Sequence, residues 1–470
     1  DIATGFEQVL QTVLSRSQVA VDAITSVIVG TTHATNAVLE QKELYKVGVI
    51  RIAGQFPESP PPCFGWPQEL SQAVLSGYAT VAGGFECHGS PIRNLDVVEL
   101  KEKILTLLRQ GAESVAVIGV FSPLNAQQEL TVLELIRKIA GPQLPVTLSH
   151  KISGVGFLER ENSTILNAAL KKVMQKGFYQ LQSICSRLGL TCPLFVTQNN
   201  GSCIDLKDAV EYPILTLSAG PTNSFVGASK LCGRCDAIIV DIGGTSTDIG
   251  LIQEGVFRRS LNTSNIGGVK LNFPMPDVVS LAIGGGSHVQ LSPLKVGPKS
   301  VGREISSQAL SFGGTQLTLT DVALTAGQLR IDGADPHKAA LSKEKALEVL
   351  RNVVETIEAS ISLMTADNKR LPIILVGGGA ALLPAAFLED RYLVPRHAAV
   401  ANAYGAALSG ISGCIDTVVS LTDQKRTLDE LKATALDAAF QRGASRETIR
   451  ITDVQIIPYH YVPNNMARVI

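Results

Sequence analysis

The segment Asp241-Ile242-Gly243-Gly244-Thr245-Ser246-Thr247-Asp248 carries more chemistry per residue than any other in the chain. Two carboxylates flank a run of glycines and hydroxyls. Gly243 and Gly244 permit positive φ and let backbone N–H groups approach an anion closely. A phosphate seated on such a turn would have its charge offset by a divalent cation held by Asp241 or Asp248, directly or through water. The same residues also suit an ordinary hairpin whose Asp and Thr side chains only satisfy the turn. Both flanks, Ala237–Val240 and Ile249–Ile252, are apolar and rich in β-branched residues, so the segment reads as strand, tight turn, strand.

Further polar clusters fall at the carboxyl ends of expected strands, where open α/β sheets bind ligands. Thr25–Val29 reads as a strand and delivers Gly30-Thr31-Thr32-His33-Ala34-Thr35-Asn36-Ala37. Here Thr31, Thr32, His33 and Asn36 either line a cleft or cap the helix that follows. Strand Pro193–Thr197 ends in Gln198-Asn199-Asn200-Gly201-Ser202, which is either a second ligand-lining cluster or a turn. Two more glycine-rich turns, Gly284-Gly285-Gly286 and Gly377-Gly378-Gly379, follow extended segments, and the latter could lay a flat ligand or a phosphate against backbone. The loop at Ser218–Ser224 can bring a helix amino end to an anion. Glu86-Cys87-His88 has irregular spacing among glycines and reads as a turn. Cys232 and Cys235 have CxxC spacing without a second pair, which favours a structural reading over zinc.

The elements that must position these groups alternate as in an α/β protein. Apolar spacing predicts helices over 2–17, 68–75, 96–111, 126–140, 320–329, 343–363, 400–408 and 426–441, and strands over 45–52, 78–82, 115–120, 145–149 and 372–376. A proline-rich surface loop runs from Pro57 to Pro67. A long helix within Ile152–Leu190 follows the charged run Glu159-Arg160-Glu161-Asn162, with Ser163 and Thr164 as candidate caps, and residues 291–319 read as loop-dominated. The 470 residues predict two or three domains. With 41 basic against 42 acidic residues there is no electrostatic footprint for nucleic acid or an anionic membrane. The longest apolar run, Ile373–Phe387, is interrupted by glycines and a proline, so no membrane span is expected. Eight scattered cysteines suit reduced thiols in a cytoplasmic protein.

Taken together and in order, these segments resemble the ATP-dependent A-type subunit of the hydantoinase/oxoprolinase family. The resemblance rests on Gly30–Ala37, Ser149-His150-Lys151-Ile152-Ser153 with Glu159–Thr164, Gln198–Gly201, Ser218-Ala219-Gly220-Pro221, Val240–Asp248, Ile283–Ser287 and Val376–Gly379. It implies two ribonuclease-H-like domains of the actin, hexokinase and heat-shock-chaperone ATPase type around a nucleotide cleft, with inserted α/β segments. The expected regions are 1–190, an N-terminal α/β region; 191–412, the ATPase core; and 413–470, a helix and the start of a C-terminal region. That family normally opens with an Asp-Gly-Gly-Thr-type strand pair of its own, a first phosphate loop, and this chain takes up the pattern after it.

By resemblance, Asp241, Thr247 and Asp248 are catalytic and lie at the phosphates, and Asp241 or Asp248 holds Mg²⁺. Gly243, Gly244, Thr245 and Gly284–Gly286 belong to the ATP site, and Gly377–Gly379 form the adenosine loop. Thr31, Thr32, His33, Asn36, Gln198 and Asn199 are candidate substrate groups. The implied reaction is ATP-dependent ring opening of a cyclic amide such as a hydantoin or 5-oxoproline, through phosphorylation of the amide oxygen. Competing readings are ketone activation of the acetone-carboxylase type and a catalytically inert nucleotide-binding scaffold. The implied partners are a B-type hydantoinase subunit and further copies of the chain.

Overall fold

The computed structural model describes residues 2–54, 59–152, 154, 156–258, 264–271, 275–365, 370–460 and 464–470. Residues 57 and 58 of the expected proline-rich loop, and Ser153, lie outside the described residues. The chain is mixed α/β and divides into two compact units, each discontinuous in sequence: residues 1–217, 261–275 and 410–470, and residues 218–260 and 276–409.

The first unit contains a four-stranded parallel sheet in the order Leu75–Val81, Val47–Ile52, Ser114–Gly119, Val146–Leu148. Its two central strands are buried on both faces and, Arg51 apart, are almost wholly apolar there. Ile50, Ile52, Val115 and Val117 pack with the crossover helices Val97–Arg109 and Gln127–Ala140. Val47, Val49, Ala116 and Ile118 pack with Ile165, Leu166 and Ala169 of the long helix Phe157–Arg187. A smaller sheet pairs Val27–Val29 parallel to Leu194–Thr197, with Cys203–Asp205 antiparallel beside them.

Two expectations for local structure are corrected. Ser163 and Thr164 do not cap the long helix, which begins at Phe157 after Gly156. They sit inside it and donate back to the carbonyls of Glu159 and Arg160 at 2.8 and 2.6 Å. Arg160 and Glu161 of the charged run are buried and bonded, and the whole run lies within the helix. Residues 291–319 are more ordered than a loop: Ser287–Leu291 and Leu294–Ser300 form an antiparallel hairpin, followed by a short helix, Ile305–Gln308. Gly297 and Pro298 mask the second strand in the sequence, and it forms by pairing with the segment just before it.

The second unit is built on a sheet ordered Val256–Phe257, Thr247–Gln253, Ala237–Ile242, Ile373–Val376, Tyr392–Leu393, with Val278–Leu281 added along the Thr247–Gln253 strand. Alternation along Ala237–Ile242 sends Ile238, Val240 and Ile242 to one core, with helices Leu319–Thr325 and Lys343–Met364. Ala237 and Ile239 go to the other, with helices Ala219–Cys232 and Ala401–Ala407. These last two helices touch backbone to backbone. A Cβ on Gly227 would collide with the Ala401 carbonyl, and one on Gly405 with the Asn223 carbonyl.

Gly227→Ala and Gly405→Ala are therefore each expected to destabilise the protein by about 1–3 kcal/mol despite alanine's better helix propensity, because the obstructing atoms are backbone. The denaturant midpoint should fall at constant slope. Gly5→Ala, with nothing within 4 Å, should instead gain about 0.5–1 kcal/mol.

Candidate functional site

The expected strand–turn–strand is present. Ala237–Ile242 and Thr247–Gln253 pair antiparallel with Asp241 directly opposite Asp248, and Ile242 opposite Thr247. Directly opposed residues share a face of the sheet, so the two carboxylates lie side by side. Burial pushes Asp241 above the ordinary aspartate range, with a hydrogen bond from Ser224 opposing the shift. Asp248 is raised chiefly by burial and further by the charge of Asp241; the hydroxyl of Ser280, which donates to its Oδ1 at 2.5 Å, opposes this. Ser280 is the cross-strand neighbour of Asp248 on Val278–Leu281.

The turn is braced from one side and open on the other. Gly285 and Gly286 donate their amides to the carbonyls of Gly243 and Gly244 at 3.0 and 2.7 Å. Gly284 lies so close that a Cβ there would stand 2.6 Å from the Thr245 amide nitrogen. Thr320 holds this second loop through two bonds to the Gly285 carbonyl, at 2.9 Å from its amide and 2.8 Å from its hydroxyl. In contrast, the amides of Gly244, Thr245 and Ser246 make no hydrogen bond among the described residues, and Gly244 and Thr245 are exposed. Three adjacent N–H groups are thus left over beside the hydroxyls of Thr245 and Ser246, although neither Gly243 nor Gly244 takes the positive φ that the sequence allows them.

On the other flank, Ile373–Val376 runs parallel to Ala237–Ile242 with Val376 beside Asp241. It leads directly into Gly377–Gly379. Gly377 has φ +86°, and a Cβ there would collide with Asp241 Oδ1. Gly379 donates to the Ile242 carbonyl at 2.8 Å, while Gly378 faces open space. A glycine cradle and a paired-aspartate donor set of hard oxygens thus meet at one end of this sheet, and both fit a phosphate with a divalent cation.

Sequence reasoning overlooked the groups that hold this arrangement. Ser224, fully buried on helix Ala219–Cys232, bonds Asp241 and receives a 3.0 Å bond from Asn402, whose amide also reaches the Gly220 carbonyl at 2.9 Å. No local spacing links residues 224, 241 and 402. Thr247, expected at the phosphates, is fully buried and donates its hydroxyl to the Ile283 carbonyl at 2.7 Å. Gly284–Gly286 have all three amides engaged within the protein, Gly284 with Ser287 Oγ at 2.9 Å. Both sets brace the turn.

The six candidate substrate groups lie in the first unit. Thr31–Asn36 and Gln198–Asn199 leave the carboxyl ends of adjacent parallel strands, with Val29 beside Val196. Thr31 Oγ1 bonds His33 Nδ1 and accepts from the His33 amide at 3.1 Å. Burial lowers the proton affinity of His33, with Glu43 opposing. Asn36 reaches Thr32 at 3.3 Å. Gln198 and Asn199 are buried, and Gln198 ties its own turn to Ser202 and Ser412. Residues 87 and 88 form a turn, and no three His, Cys, Asp or Glu side chains gather as a metal site among the described residues.

A second charged set in the first unit includes segments quoted for the resemblance, to which the sequence assigned no role. Arg51 and Glu161 form a buried two-pronged ion pair with both contacts at 2.6 Å. Fully buried Arg160 donates to Ser149 Oγ and to the carbonyls of Gly119 and Gly154. Burial lowers its pKa to about 10, against the charges of Glu129 and Glu161. Buried Glu129 bonds the Gly119 amide, Ser149 and His150. The signal for this set was the charged run itself, which has no apolar face to shelter it and must therefore pair in three dimensions.

The chain matches the hydantoinase/oxoprolinase family over residues 160–333 and the N-terminal region of that family over residues 1–140. It belongs to the hydantoinase/oxoprolinase family. It is 28% identical over 291 residues to the acetophenone carboxylase gamma subunit of Aromatoleum aromaticum, covering 58% of this chain and 39% of that protein. It is 26% identical over 368 residues to caprolactamase subunit alpha of Pseudomonas jessenii, covering 70% and 52%. The chain thus spans about half, or less, of these curated relatives. The crystal structure of ATP-dependent caprolactamase from Pseudomonas jessenii shares its fold, with a TM-score of 0.77 at 21% identity over 98% of this chain and 75% of that one. No described helix is long and apolar enough to cross a membrane.

The raised carboxyls of the family member's hairpin carry a sign. A carboxyl whose folded pKa lies above its unfolded value adds stability that is complete below the unfolded value and is lost as pH rises through the folded one. Unliganded wild-type protein should therefore lose more stability between about pH 4 and about pH 8 than Asp248→Asn, which removes one charge of the pair. Thermal melts across that range test this, with Asp248→Asn the more stable at the alkaline end.

Proposed function

We propose that this chain is an ATP-using subunit that phosphorylates a carbonyl oxygen, and that its substrate is a cyclic amide whose ring is thereby opened. The observation that carries this reading is the pair Asp241 and Asp248 beside a turn with three free amides. The turn would receive a terminal phosphate of ATP, Asp241 and Asp248 would hold Mg²⁺, and Gly377–Gly379 would lie against the nucleoside. The Mg²⁺ would supply charge neutralisation on the phosphates. Positioning and charge compensation are what in-line phosphoryl transfer needs. An amide carbonyl is a poor electrophile, and phosphorylation of its oxygen turns that oxygen into a leaving group and exposes the carbon to water.

The likeness to caprolactamase subunit alpha supports the cyclic amide. A ketone as the phosphoryl acceptor is the second reading, favoured by the likeness to a subunit of acetophenone carboxylase. Both relatives are named as subunits, which supports a partner chain here, with a B-type hydantoinase subunit as the proposed partner. All eight cysteines are free thiols, which supports a reducing, cytoplasmic setting.

The test is ATP hydrolysis by the full-length protein with its partner. Stimulation by 5-oxoproline, a hydantoin or caprolactam is expected, and Asp241→Ala should reduce it by about 10²–10³-fold. Stimulation confined to ketones with bicarbonate selects the second reading. MgATP binding without hydrolysis would leave the nucleotide-binding scaffold, and absence of MgATP binding would overturn both enzyme readings.

A further inference from the structure

We propose that Asn402 is a positioning residue of the cation site: acting through Ser224, it holds the Asp241 carboxylate in the orientation that binds the divalent cation of the nucleotide. This rests on the function proposed above, in which Asp241 helps to hold Mg²⁺. Every group involved belongs to the second unit.

The three residues come from three elements. Asp241 lies near the end of strand Ala237–Ile242, Ser224 in the second turn of helix Ala219–Cys232, and Asn402 in the first turn of helix Ala401–Ala407. Glycine contacts between the two helices set their register. Ala401 lies against Gly227 and Asn223 against Gly405, so close that a Cβ on either glycine would stand 1.9 Å from the facing carbonyl oxygen. With the helices in that register, the Asn402 amide reaches both Gly220 and Ser224.

Counting donors and acceptors decides what the amide does. The Gly220 carbonyl can only accept, so the group that faces it is the Asn402 nitrogen and not its oxygen. Both hydrogens on that nitrogen are then spent, one on the Gly220 carbonyl at 2.9 Å and one on Ser224 Oγ at 3.0 Å. Ser224 accepts from Asn402 and keeps one hydrogen to give. A serine inside a helix commonly gives that hydrogen to the carbonyl four residues back. For Ser224 this is the Gly220 carbonyl, which Asn402 already engages. The hydroxyl is left to bond Asp241. Asn402 therefore occupies the competing acceptor and turns the hydroxyl toward the carboxylate.

The carboxylate is confined on another side as well, since Asp241 Oδ1 fills the space left by the missing Cβ of Gly377. Asp248 is held differently, by Ser280 on the neighbouring strand at 2.5 Å. A carboxylate fixed in advance loses little freedom when it takes a cation, and the groups that fix it tune the affinity. Ser224 is fully buried, whereas Asn402 is exposed and turns its amide inward. Alanine at 402 thus removes the two bonds without opening the core.

The experiment is a double-mutant cycle on the full-length protein: wild type, Asn402→Ala, Ser224→Ala and the double variant. Calorimetry measures the affinity for a non-hydrolysable ATP analogue as Mg²⁺ is added, and again in excess chelator. Asn402→Ala should raise the Mg²⁺ concentration that half-maximally tightens binding by about 10–100-fold, with affinity in chelator little changed. Ser224→Ala should do the same, and in its background Asn402→Ala should add nothing to the Mg²⁺ requirement. The lost bond to the Gly220 carbonyl should still lower the denaturant midpoint in both backgrounds, which separates a structural effect from the effect on the cation. An unchanged Mg²⁺ requirement in Asn402→Ala, or an equal loss in both backgrounds, overturns the proposal and leaves the ATP reading standing. Wild-type protein whose nucleotide binding is absent or indifferent to Mg²⁺ removes the cation site of that reading, and this proposal with it.

Discussion

The second unit is organised around a repulsion. Antiparallel register sets Asp241 opposite Asp248 on one face of the sheet, and burial sharpens the conflict by removing the water that would screen it. Like charges directly opposed in a sheet are unfavourable, so the surroundings must hold them. Ser280 and Ser224 each bond one carboxylate, Asn402 fixes Ser224, and the close contact at Gly227 and Gly405 lets the helix bearing Asn402 come near enough to do so. Gly377 leaves the space that Asp241 Oδ1 occupies. A cation between the aspartates would convert the repulsion to attraction.

The turn itself depends on a different distribution of donors. A turn usually satisfies its own amides or gives them to water. Here Gly285 and Gly286 reach across to the Gly243 and Gly244 carbonyls, so the acceptors of the turn are satisfied while the amides of Gly244, Thr245 and Ser246 are left over. The second glycine loop therefore shapes the first and has no donor of its own to offer. Thr247 and Thr320, both sheltered, tie the two loops together through carbonyls on the far side. Rigidity on one face and unpaired donors on the other suit a site that binds charge without reorganising.

How much of this could be read in advance depends on the range of each interaction. Ala237–Ile252 declared itself because everything that makes it a hairpin lies within it: alternating apolar residues, two glycines and a cross-strand pair of aspartates. The parallel sheet was legible for the same reason, since Val47–Ile52 and Ser114–Gly119 are apolar on both faces and lie between helices of regular period. The features that stayed hidden are long-range. Ser163 and Thr164 look like caps until Arg160 and Glu161 are seen to be buried and paired with residues far away in sequence. Leu294–Ser300 was hidden for a local reason instead: it has a glycine and a proline and becomes a strand only by pairing with Ser287–Leu291 just before it. Nothing in the letters joins Ser224 to Asp241, or His150 to Glu129, because a buried polar side chain is defined by its partner, and partners are set by the fold.

The two carbonyl readings then converge on one physical requirement. A lactam and a ketone diverge only after activation, when the carbon is taken by water in one case and by a new carbon–carbon bond in the other. Up to that point each must receive a phosphoryl group on oxygen and lose a proton from the atom next to the carbonyl carbon. One charge-compensated phosphate site serves that step in both, and the hairpin with its aspartate pair is the site proposed for it. Discrimination between the two substrate classes must then come from whatever receives the activated carbon. Relatives named for amide and for ketone chemistry can accordingly share this fold without sharing a product.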